Sequence, residues 1–350
     1  MDILKEINVS RRALMHNITK GIGGSGYNKR KLVYQSEIKN ILISRPNNRL
    51  GNLLMITPLV EELSETFPHC SIDLFVKGNL APVVFKNHKN VDAVIELPGK
   101  PFKQLLNYVG KWMALKDKRY DLVINIDPNS SSGRLSTWFA SSKYKIFGDL
   151  TEEISEHGND RKHMAKIPVC NLRDWLEAEN HRSIPLLNLK ISQFELLEGR
   201  QILRNLVNNH KPTIALFTYA TGDKCYPQNW WNDFYERLLK EYDDYNIIEI
   251  LPMHNASQIG FRAPAFYSRN IRQIGSLMAN TEVFIGADSG MMHLASAAHV
   301  PTVGLFSVTD AEKYQPYGNN SLAINTTITD TDASIRILNS ILFKKMAYAN

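Results

Sequence analysis

The sequence predicts an α/β protein of two domains, each built around a parallel sheet with crossover helices. Its 350 residues exceed the roughly 100–200 residues of one ordinary domain, so two domains and a cleft between them are expected. Short β-rich runs alternate with segments of helical spacing in both halves of the chain, which is typical of parallel sheets. Of the residues 43% are hydrophobic, and no apolar run approaches the roughly 18 residues of a membrane-spanning helix, so a globular protein is expected.

The elements follow one another in the order that such a fold requires. In the first half, strands are predicted at 41–44, 71–76, 92–97, 121–126 and 144–147, and helices at 50–67, 102–117 and 134–142. The pattern lapses in the polar stretch 148–180 and then resumes. In the second half, strands are predicted at 213–218, 246–251, 283–286 and 302–306, and helices near 228–241, 270–279 and 290–298. Two α/β halves joined around residues 185–212 fit this order.

The positive charge of the chain is concentrated at its N-terminus. Residues 1–40 carry eight Lys or Arg against three Asp or Glu, which is +5 of the overall +6. The rest is nearly neutral and lacks the broad basic surface of a nucleic-acid-binding protein, so no nucleic-acid partner is expected. The basic segment could touch an anionic membrane surface, or it could be a helix with solvated charges that packs on the first domain.

The cysteines and the first residues indicate the compartment. Cys70, Cys170 and Cys225 lie far apart and form no CxxC pair, so neither a disulfide framework nor a zinc site is predicted. The opening residues carry acids among the apolar positions, unlike a secretory signal. A cytoplasmic location is therefore expected.

Four turns are candidate ligand sites, because ligands of parallel sheets bind beyond the carboxyl ends of the strands. These turns are 44–52, 127–134, 218–228 and 286–293. In the last one, Asp288, Ser289 and Gly290 separate a buried strand from a helix. Gly290 allows a ligand to approach the backbone, and the free N–H groups of the first helical turn form an anion site suited to a diphosphate.

Neighbouring side chains could complete this anion site. Ser289 adds a hydroxyl group, and His293 lies about one turn into the helix. The alternative is that Asp288 or Ser289 only caps the helix and His293 packs against the next strand. In the turn 218–228, Thr221, Gly222 and Lys224 precede another helix. The ammonium group of Lys224 could bind a phosphate, or it could be exposed to solvent without a ligand.

Two of these segments resemble a known family. The run "DSGMMHLASAAHVPTVGLF" (288–306) resembles the signature of glycosyltransferase family 9, the ADP-heptose:lipopolysaccharide heptosyltransferases. The run "RLGNLLMITPLVEEL" (49–63) resembles that family's first turn and helix, and the likeness extends through residues 40–325. It implies a GT-B architecture, with two Rossmann-like domains facing each other across a cleft.

The resemblance also implies the role of each region. Residues 1–39 form a basic N-terminal extension, 40–190 an acceptor domain, 191–330 a nucleotide-sugar donor domain, and 331–350 a C-terminal helix that could pack back on the N-terminal domain. The implied reaction is inverting and needs neither a metal nor a cofactor, with the nucleotide-sugar as substrate. ADP-heptose is the expected donor, and the acceptor is a lipopolysaccharide core or another surface glycan or glycolipid at the cytoplasmic membrane face.

The donor-site residues carried over from the family lie in the second half. In the family, matching positions hold the diphosphate and the ribose region of the donor. Here they are Thr221, Lys224, Asp288, Ser289, Gly290 and His293. This agrees with the chemistry, because a lysine and a helix N-terminus can stabilise a departing diphosphate. The loop 252–255 follows the strand that usually frames the nucleoside, but it contains no acidic partner for the ribose.

The catalytic base is where this chain departs from the family. In the family, an Asp follows the Gly that corresponds to Gly51, but here that position is Asn52. An amide does not accept a proton at neutral pH, although Asn52 could orient the acceptor hydroxyl, and Gly51 would let the acceptor come close. Asp127, at the end of "DLVINI", could be a substitute base or a turn former.

Further residues and functions stay open on the sequence alone. Arg134 and Lys143 could receive an acidic acceptor group or be exposed on a surface helix. A nucleotide-sugar-binding pseudo-transferase that has lost the base is the alternative function, and an epimerase of the related non-hydrolysing fold is a third. The motif "GIGGSG" (21–26) is interpreted as a hinge rather than as a dinucleotide site, and the motif "DTD" (330–332) as a helix cap rather than as a metal site.

Overall fold

The computed structural model describes residues 17–19, 21–23, 38–99, 103–148, 162–177 and 182–347. The chain forms two compact units. The first comprises Met1–Asn48, Pro58–Pro82 and His88–Pro185, and the second Arg49–Thr57, Val83–Asn87 and Leu186–Asn350. The domain bounds expected from the sequence, 40–190 and 191–330, stay predictions; two short segments of the first half, 49–57 and 83–87, are grouped with the second unit.

The first unit is built on a sheet of five parallel strands. They are β1 (Asn40–Arg45), β2 (Ser71–Lys77), β3 (Val91–Leu97), β4 (Tyr120–Asn125) and β5 (Ser142–Ile146). Their order in the sheet is β3-β2-β1-β4-β5. Because every pairing is parallel, the carboxyl ends of β1 and β4 lie side by side at the sheet's centre.

The second unit has a parallel sheet of six strands. They are β6 (Thr213–Phe217), β7 (Asn246–Ile250), β8 (Ala265–Phe266), β9 (Val283–Ala287), β10 (Thr302–Phe306) and β11 (Leu322–Asn325). The order is β11-β10-β9-β6-β7-β8, so β6 and β9 are neighbours although 65 residues of chain separate the end of one from the start of the other. The loops that follow these two strands therefore leave the same edge of the sheet.

From residue 40 onward, twelve α-helices accompany the sheets in the described ranges. In chain order they are α1 (Leu50–Leu54), α2 (Thr57–Thr66), α3 (Ala81–Val84), α4 (Leu105–Asp117), α5 (Ser131–Phe139), α6 (Ile167–Trp175), α7 (Gln193–Val207), α8 (Gln228–Glu241), α9 (Ile271–Met278), α10 (Gly290–Ala297), α11 (Ala311–Tyr314) and α12 (Thr331–Ala347).

The helices differ from the sequence prediction in two instructive places. The single helix predicted at 50–67 is divided into α1 and α2, because Pro58 has no amide with which to continue the first helix. The helix predicted at 134–142 begins earlier, at Ser131, where the Ser130 side chain accepts a hydrogen bond from the Gly133 amide. The remaining predicted strands and helices lie within a few residues of their predicted bounds.

The core of the second unit packs on one face of its sheet. Trp231 and Phe234 of α8 are fully buried there. The C-terminal helix α12 joins the same core through Leu338 and Ile341, and Asn339 accepts a hydrogen bond from the Tyr242 hydroxyl at 2.6 Å. These contacts place α12 in the second unit, whereas the sequence left open that it packs back on the N-terminal domain.

Several expectations from the sequence can be compared with the described residues. The three cysteines are free thiols, as predicted. Within the described ranges, none of the helices combines the length and apolar character needed to cross a bilayer. Most of the basic segment 1–39 lies outside the described residues, and so does the second half of "GIGGSG".

Candidate functional site

Two of the four candidate turns meet in the second unit. Asp288 follows the last residue of β9, and Lys224 ends the polar turn after β6. The Lys224 ammonium lies 2.9 Å from an Asp288 carboxylate oxygen. Because β6 and β9 are adjacent parallel strands, their carboxyl ends bring together residues that are 64 positions apart.

The Asp288 carboxylate is a fixed anchor for this lysine. Asp288 is buried, and the Thr309 hydroxyl donates a second hydrogen bond to the same carboxylate oxygen at 2.7 Å. The Lys224 side chain keeps 30% of its surface exposed. Since an ammonium group has three donors, Lys224 can bind an incoming anion while it stays attached to Asp288.

Helix α10 begins beside this pair. The Ser289 side chain accepts a hydrogen bond from the Met292 amide at 3.4 Å, so the capping alternative is confirmed for Ser289, whereas the Asp288 carboxylate faces Lys224 and Thr309 instead. The first amides of an α-helix lack intrahelical acceptors and carry partial positive charge. The N-terminus of α10 and Lys224 therefore form one electropositive corner around a half-buried glycine, Gly290.

His293 lies one turn into α10 and is 4% exposed. Burial lowers the pKa of His293 to about 4; the negative charge of Asp288 opposes this shift and the positive charge of Lys224 adds to it. The ring is therefore neutral at pH 7. Within the described residues neither ring nitrogen has a hydrogen-bond partner, so one N–H donor and one acceptor are available to a ligand.

His293 packs against Gly51 on α1. A Cβ placed on Gly51 would lie 2.7 Å from His293 Cδ2 and 3.5 Å from the Gly290 Cα. A Cβ placed on Gly290 would lie 3.3 Å from the Gly51 amide nitrogen. The space that a side chain of Gly51 would occupy is therefore taken by helix α10. The expected place of Gly51 beside an acceptor stays a prediction.

Asn52 follows Gly51 on α1 and belongs to the same compact unit as Asp288. It is half-buried, and its amide has no hydrogen-bond partner among the described residues. Thr221 is exposed ahead of the turn Gly222–Lys224, in which Gly222 has a φ of +64°. The positive φ explains the glycine, since a side chain there would be strained.

Asp127 lies in the first unit, just beyond β4, and is bound on both carboxylate oxygens. One oxygen forms an ion pair with the Arg45 guanidinium, and the other accepts a hydrogen bond from the Asn129 amide at 3.0 Å. The turn-forming role is thus confirmed, and Arg45 is a partner that sequence analysis missed. Arg45 is 6% exposed at the end of β1, and its Nε atom is buried without an acceptor.

The sequence left open that Arg134 is exposed on a surface helix, but in the structure its side chain is buried. It is 4% exposed, and its guanidinium donates hydrogen bonds to the backbone carbonyls of Thr19 at 3.2 Å and Pro128 at 3.3 Å. A third bond reaches the carbonyl of Ile22. These carbonyls accept hydrogen bonds from the side chain, so Arg134 connects the backbone at Thr19 and Ile22 to the turn after β4. Its expected place on the acceptor side stays a prediction.

Sequence analysis also missed a buried carboxylate in the second unit. Glu249, near the carboxyl end of β7, is fully buried and accepts hydrogen bonds from Thr218 at 2.5 Å and Ser257 at 2.6 Å. The Ser257 hydroxyl oxygen in turn accepts from the amides of Ile259 and Phe261. Burial raises the pKa of Glu249. An acid inside the apolar run "NIIEIL" was the available signal, and it holds the loop that follows β7.

The described residues hold no group of three His, Cys, Asp or Glu side chains that could bind a metal. Of the "DTD" run, Asp330 accepts a hydrogen bond from the Ala333 amide at 2.7 Å and so caps α12, as interpreted from the sequence. A cavity of about 390 Å³ lies at the amino ends of β6 and β9, lined by residues such as Arg204, Lys211 and Thr213. Its position at the wrong end of the strands separates it from the Lys224 corner.

Comparison with known proteins points to one family. The sequence model of the family described as glycosyltransferase family 9 (heptosyltransferase) matches residues 268–340, which include Asp288, Ser289, Gly290 and His293. Lipopolysaccharide heptosyltransferase 3 of Escherichia coli is 21% identical over 305 residues, covering 78% of this chain and 85% of that protein. The protein of that name from strain K12 is 22% identical over 303 residues, covering 77% of this chain and 83% of that protein.

Solved structures share the fold over nearly the whole chain. The family 9 glycosyl transferase from Veillonella parvula has a TM-score of 0.70 at 16% identity, covering 91% of this chain and 99% of its own. The heptosyltransferase WaaC of E. coli with ADP has a TM-score of 0.65 at 16% identity, covering 86% and 99%. The E. coli ADP-heptose heptosyltransferase II has a TM-score of 0.63 at 15% identity, covering 88% and 100%. The predicted GT-B class of fold is thereby confirmed.

Proposed function

We propose that this chain, which is similar to the heptosyltransferases of glycosyltransferase family 9, transfers a heptose from ADP-heptose to a lipopolysaccharide core or a related surface glycan. The resemblance inferred from the two sequence motifs is confirmed, and so is the prediction that the chain is an enzyme of the glycosyltransferase class. The pseudo-transferase alternative is not supported, since the matched family and the curated relatives are heptosyltransferases.

The observation that carries the proposal is the corner formed by Lys224, Asp288 and the N-terminus of α10. Glycosyl transfer leaves a nucleoside diphosphate, whose developing charge must be stabilised. Lys224, held 2.9 Å from Asp288, and the first amides of α10 supply positive charge at one place. The E. coli WaaC structures contain ADP in one case and ADP-2-deoxy-2-fluoro heptose in the other, which supports a donor of this type.

Three further side chains complete the proposed donor site. Ser289 keeps its hydroxyl at the start of α10, and exposed Thr221 contributes a hydroxyl from the turn that carries Lys224. His293 is neutral because its pKa is lowered to about 4, so it serves as a hydrogen-bonding group and not as a cation. Its two nitrogens, unpartnered within the described residues, are assigned to the phosphate or ribose oxygens.

On the acceptor side, the proposal assigns an orienting role to Asn52 and the role of base to Asp127. The Asn52 amide has unused donors and an acceptor with which to hold a hydroxyl. Asp127 is the carboxylate at the end of β4, and two of its lone-pair positions stay available beside Arg45 and Asn129. Transfer is proposed to be inverting and to need neither metal nor cofactor, and the enzyme to work in the cytoplasm at the inner membrane face.

A thermal-shift panel of ADP, GDP and UDP tests the donor site. Ligand at about 100 times its Kd adds roughly 2.7 kcal/mol of apparent stability, and we expect this for ADP in preference to GDP and UDP. Lys224→Ala should weaken ADP binding about tenfold or more, whereas Lys240→Ala, at an exposed position on α8, should bind like the parent. No shift with any nucleotide, or equal binding by Lys224→Ala, would overturn the assignment of this corner.

A transfer assay tests the reaction itself. The full chain is incubated with ADP-heptose and lipopolysaccharide from a heptose-deficient strain, and the product is followed by mass spectrometry. We expect one heptose to be added, at the same rate with and without EDTA. A rate that falls in EDTA and returns with an added metal contradicts metal independence, and an ADP-binding chain that transfers no heptose contradicts the donor sugar or the acceptor.

A further inference from the structure

We propose that one face of the first unit docks on an anionic lipid bilayer. This surface, called here the α4 face, consists of Leu105, Leu106, Val109 and Met113 on α4 together with Trp138 on α5. All five of these residues are described residues of the first unit.

The apolar side chains of α4 are divided between two faces. Leu106 is 90% exposed, and Leu105, Val109 and Met113 are exposed by 59%, 50% and 49%. At 100° per residue these four positions fall on one arc of the helix. The side of α4 next to this arc is already anchored, since Leu115 is fully buried and the Trp112 ring lies 5.4 Å from the Phe75 ring.

The exposed arc is therefore not needed for the packing of the unit. Soluble monomers scatter single apolar residues over their surface but seldom align four large ones on one helix. Trp138, 47% exposed near the end of α5, is included in the α4 face because its neighbour Phe139 packs on α4 through Trp112, with ring centroids 6.0 Å apart. An indole is a favoured side chain at the boundary between lipid and water.

Positive charge flanks the apolar arc. The Lys116 ammonium lies 4.7 Å from the centre of the Phe139 ring, and the Lys145 ammonium donates a hydrogen bond to the Trp138 carbonyl at 2.5 Å. Burial and the neighbouring charge of Lys116 lower the pKa of Lys145, so the two lysines lie close together. Within the described part of the chain neither has a salt bridge, which leaves their charge for an outside partner.

This combination identifies the partner by its chemistry. An apolar stripe with lysines and a tryptophan along its border fits a bilayer that contains anionic lipid. The apolar side chains would pack against the acyl chains, and the ammonium groups would bind the anionic headgroups. A second copy of the chain is a poorer partner. In a two-fold symmetric contact the same face of both copies would be buried, which would bring Lys116 and Lys145 of both copies into one interface.

Vesicle co-sedimentation of the full chain tests the proposal. The vesicles are phosphatidylcholine alone or with about 30 mol % phosphatidylglycerol, the anionic component. We expect binding to the anionic vesicles, weaker binding in high salt, and little binding to phosphatidylcholine. Leu106→Asp combined with Met113→Asp should reduce the bound fraction about fivefold or more, because two apolar contacts become repulsive charges.

A matched control uses apolar exposure elsewhere on the chain. Ile328 is 84% exposed but lies in the second unit, so Ile328→Asp should bind vesicles like the parent. A milder variant, Lys116→Gln, should lower binding to anionic vesicles only. Both leave the donor corner intact, so an unchanged melt and an unchanged ADP shift show that the variants are folded and that the result is independent of the proposed reaction.

Three outcomes would overturn the inference. Parent protein that does not bind anionic vesicles would refute a membrane partner. Equal binding by the parent and the Leu106/Met113 variant would move the contact elsewhere, for example to residues 1–39. A variant that converts a dimer to a monomer in analytical ultracentrifugation, without any change in vesicle binding, would identify a second copy as the occupant.

Discussion

The ring of His293 lies against the Cα of Gly51, so closely that a Cβ on Gly51 would approach His293 Cδ2 to 2.7 Å. The contact joins the first helix after β1 to the helix after β9, although the two are more than 230 residues apart in the chain. It makes two sequence motifs parts of one packed structure. The glycine of the first motif shapes the position of the histidine of the second.

Gly51→Ala should therefore disturb both stability and donor binding. The added methyl group must displace a buried ring or helix α10. Overpacking of this kind lowers the free energy of unfolding by about 1–3 kcal/mol. Urea denaturation measures the loss of unfolding free energy, and ADP thermal shift measures the effect on the proposed site. The control is Gly110→Ala, where a Cβ meets nothing within 4 Å and helix propensity predicts a gain of about 0.5–1 kcal/mol. A Gly51→Ala variant as stable as the parent would contradict the packing role.

Burial of His293 predicts a pH dependence of stability. Its pKa falls from 6.5 to about 4 on folding, so between these pH values the unfolded chain binds more protons than the native one. This contribution is fully present above pH 6.5 and is lost as pH falls towards 4, by at most about 3 kcal/mol. Relative to the parent, His293→Gln should show a flatter unfolding free energy between pH 4 and 6.5, whereas exposed His210→Gln should follow the parent curve. Parallel curves for His293→Gln and the parent would refute the buried neutral ring.

Glu249 predicts a slope of the opposite sign. Because burial raises its pKa, the native state holds the proton more strongly than the unfolded chain does, so this contribution is present below about pH 4.5 and is lost as pH rises. Relative to the parent, Glu249→Gln should gain unfolding free energy as pH increases from 4.5 to 8. Glu198→Gln, at an exposed position on α7, is the control. If parent and Glu249→Gln differ by a constant amount across this range, Glu249 does not change its proton affinity on folding.

The alternation of strands and helices was readable from the sequence because buried parallel strands are short apolar runs separated by helical periods. The same pattern placed Lys224 and Asp288 after strands, and the rule for carboxyl ends then predicted that both would lie at the ligand-binding edge. Their direct contact depends on β6 and β9 being neighbours. Strand order is a tertiary property, and the local pattern did not determine it.

Arg134 and Gly51 illustrate what local patterns leave open. A basic residue on an amphipathic helix is normally solvated, yet Arg134 is buried because three carbonyls, two of them from the distant segment 19–22, satisfy its donors. A glycine at the start of a helix fits a close ligand or a close helix equally well. At Gly51 the structure shows a close helix, α10.

Because Asn52 stands where the family has its catalytic aspartate, variants of Asn52 and Asp127 test which of the two residues contributes to catalysis. If Asp127 is the base, Asp127→Asn should lower kcat by about 10²–10⁴ and leave ADP binding unchanged, because general-base catalysis contributes that much and the donor corner is untouched. Asn52→Ala, which removes only an orienting amide, should reduce transfer less than Asp127→Asn but far more than it reduces donor binding. Asp243→Asn, at an exposed position, is the control for the loss of a carboxylate.

The ion pair with Arg45 must be separated from catalysis in this experiment, because Arg45 is nearly buried and Asp127→Asn leaves its charge without a carboxylate. Unfolding free energies are therefore measured for Asp127→Asn, Arg45→Met and the double variant. A base role requires that the double variant regain stability but not activity, since neutralising both partners relieves the buried charge without restoring a proton acceptor. Recovery of activity together with stability would show that Asp127 serves only to hold Arg45, and unaltered activity in Asn52→Ala would remove Asn52 from the site.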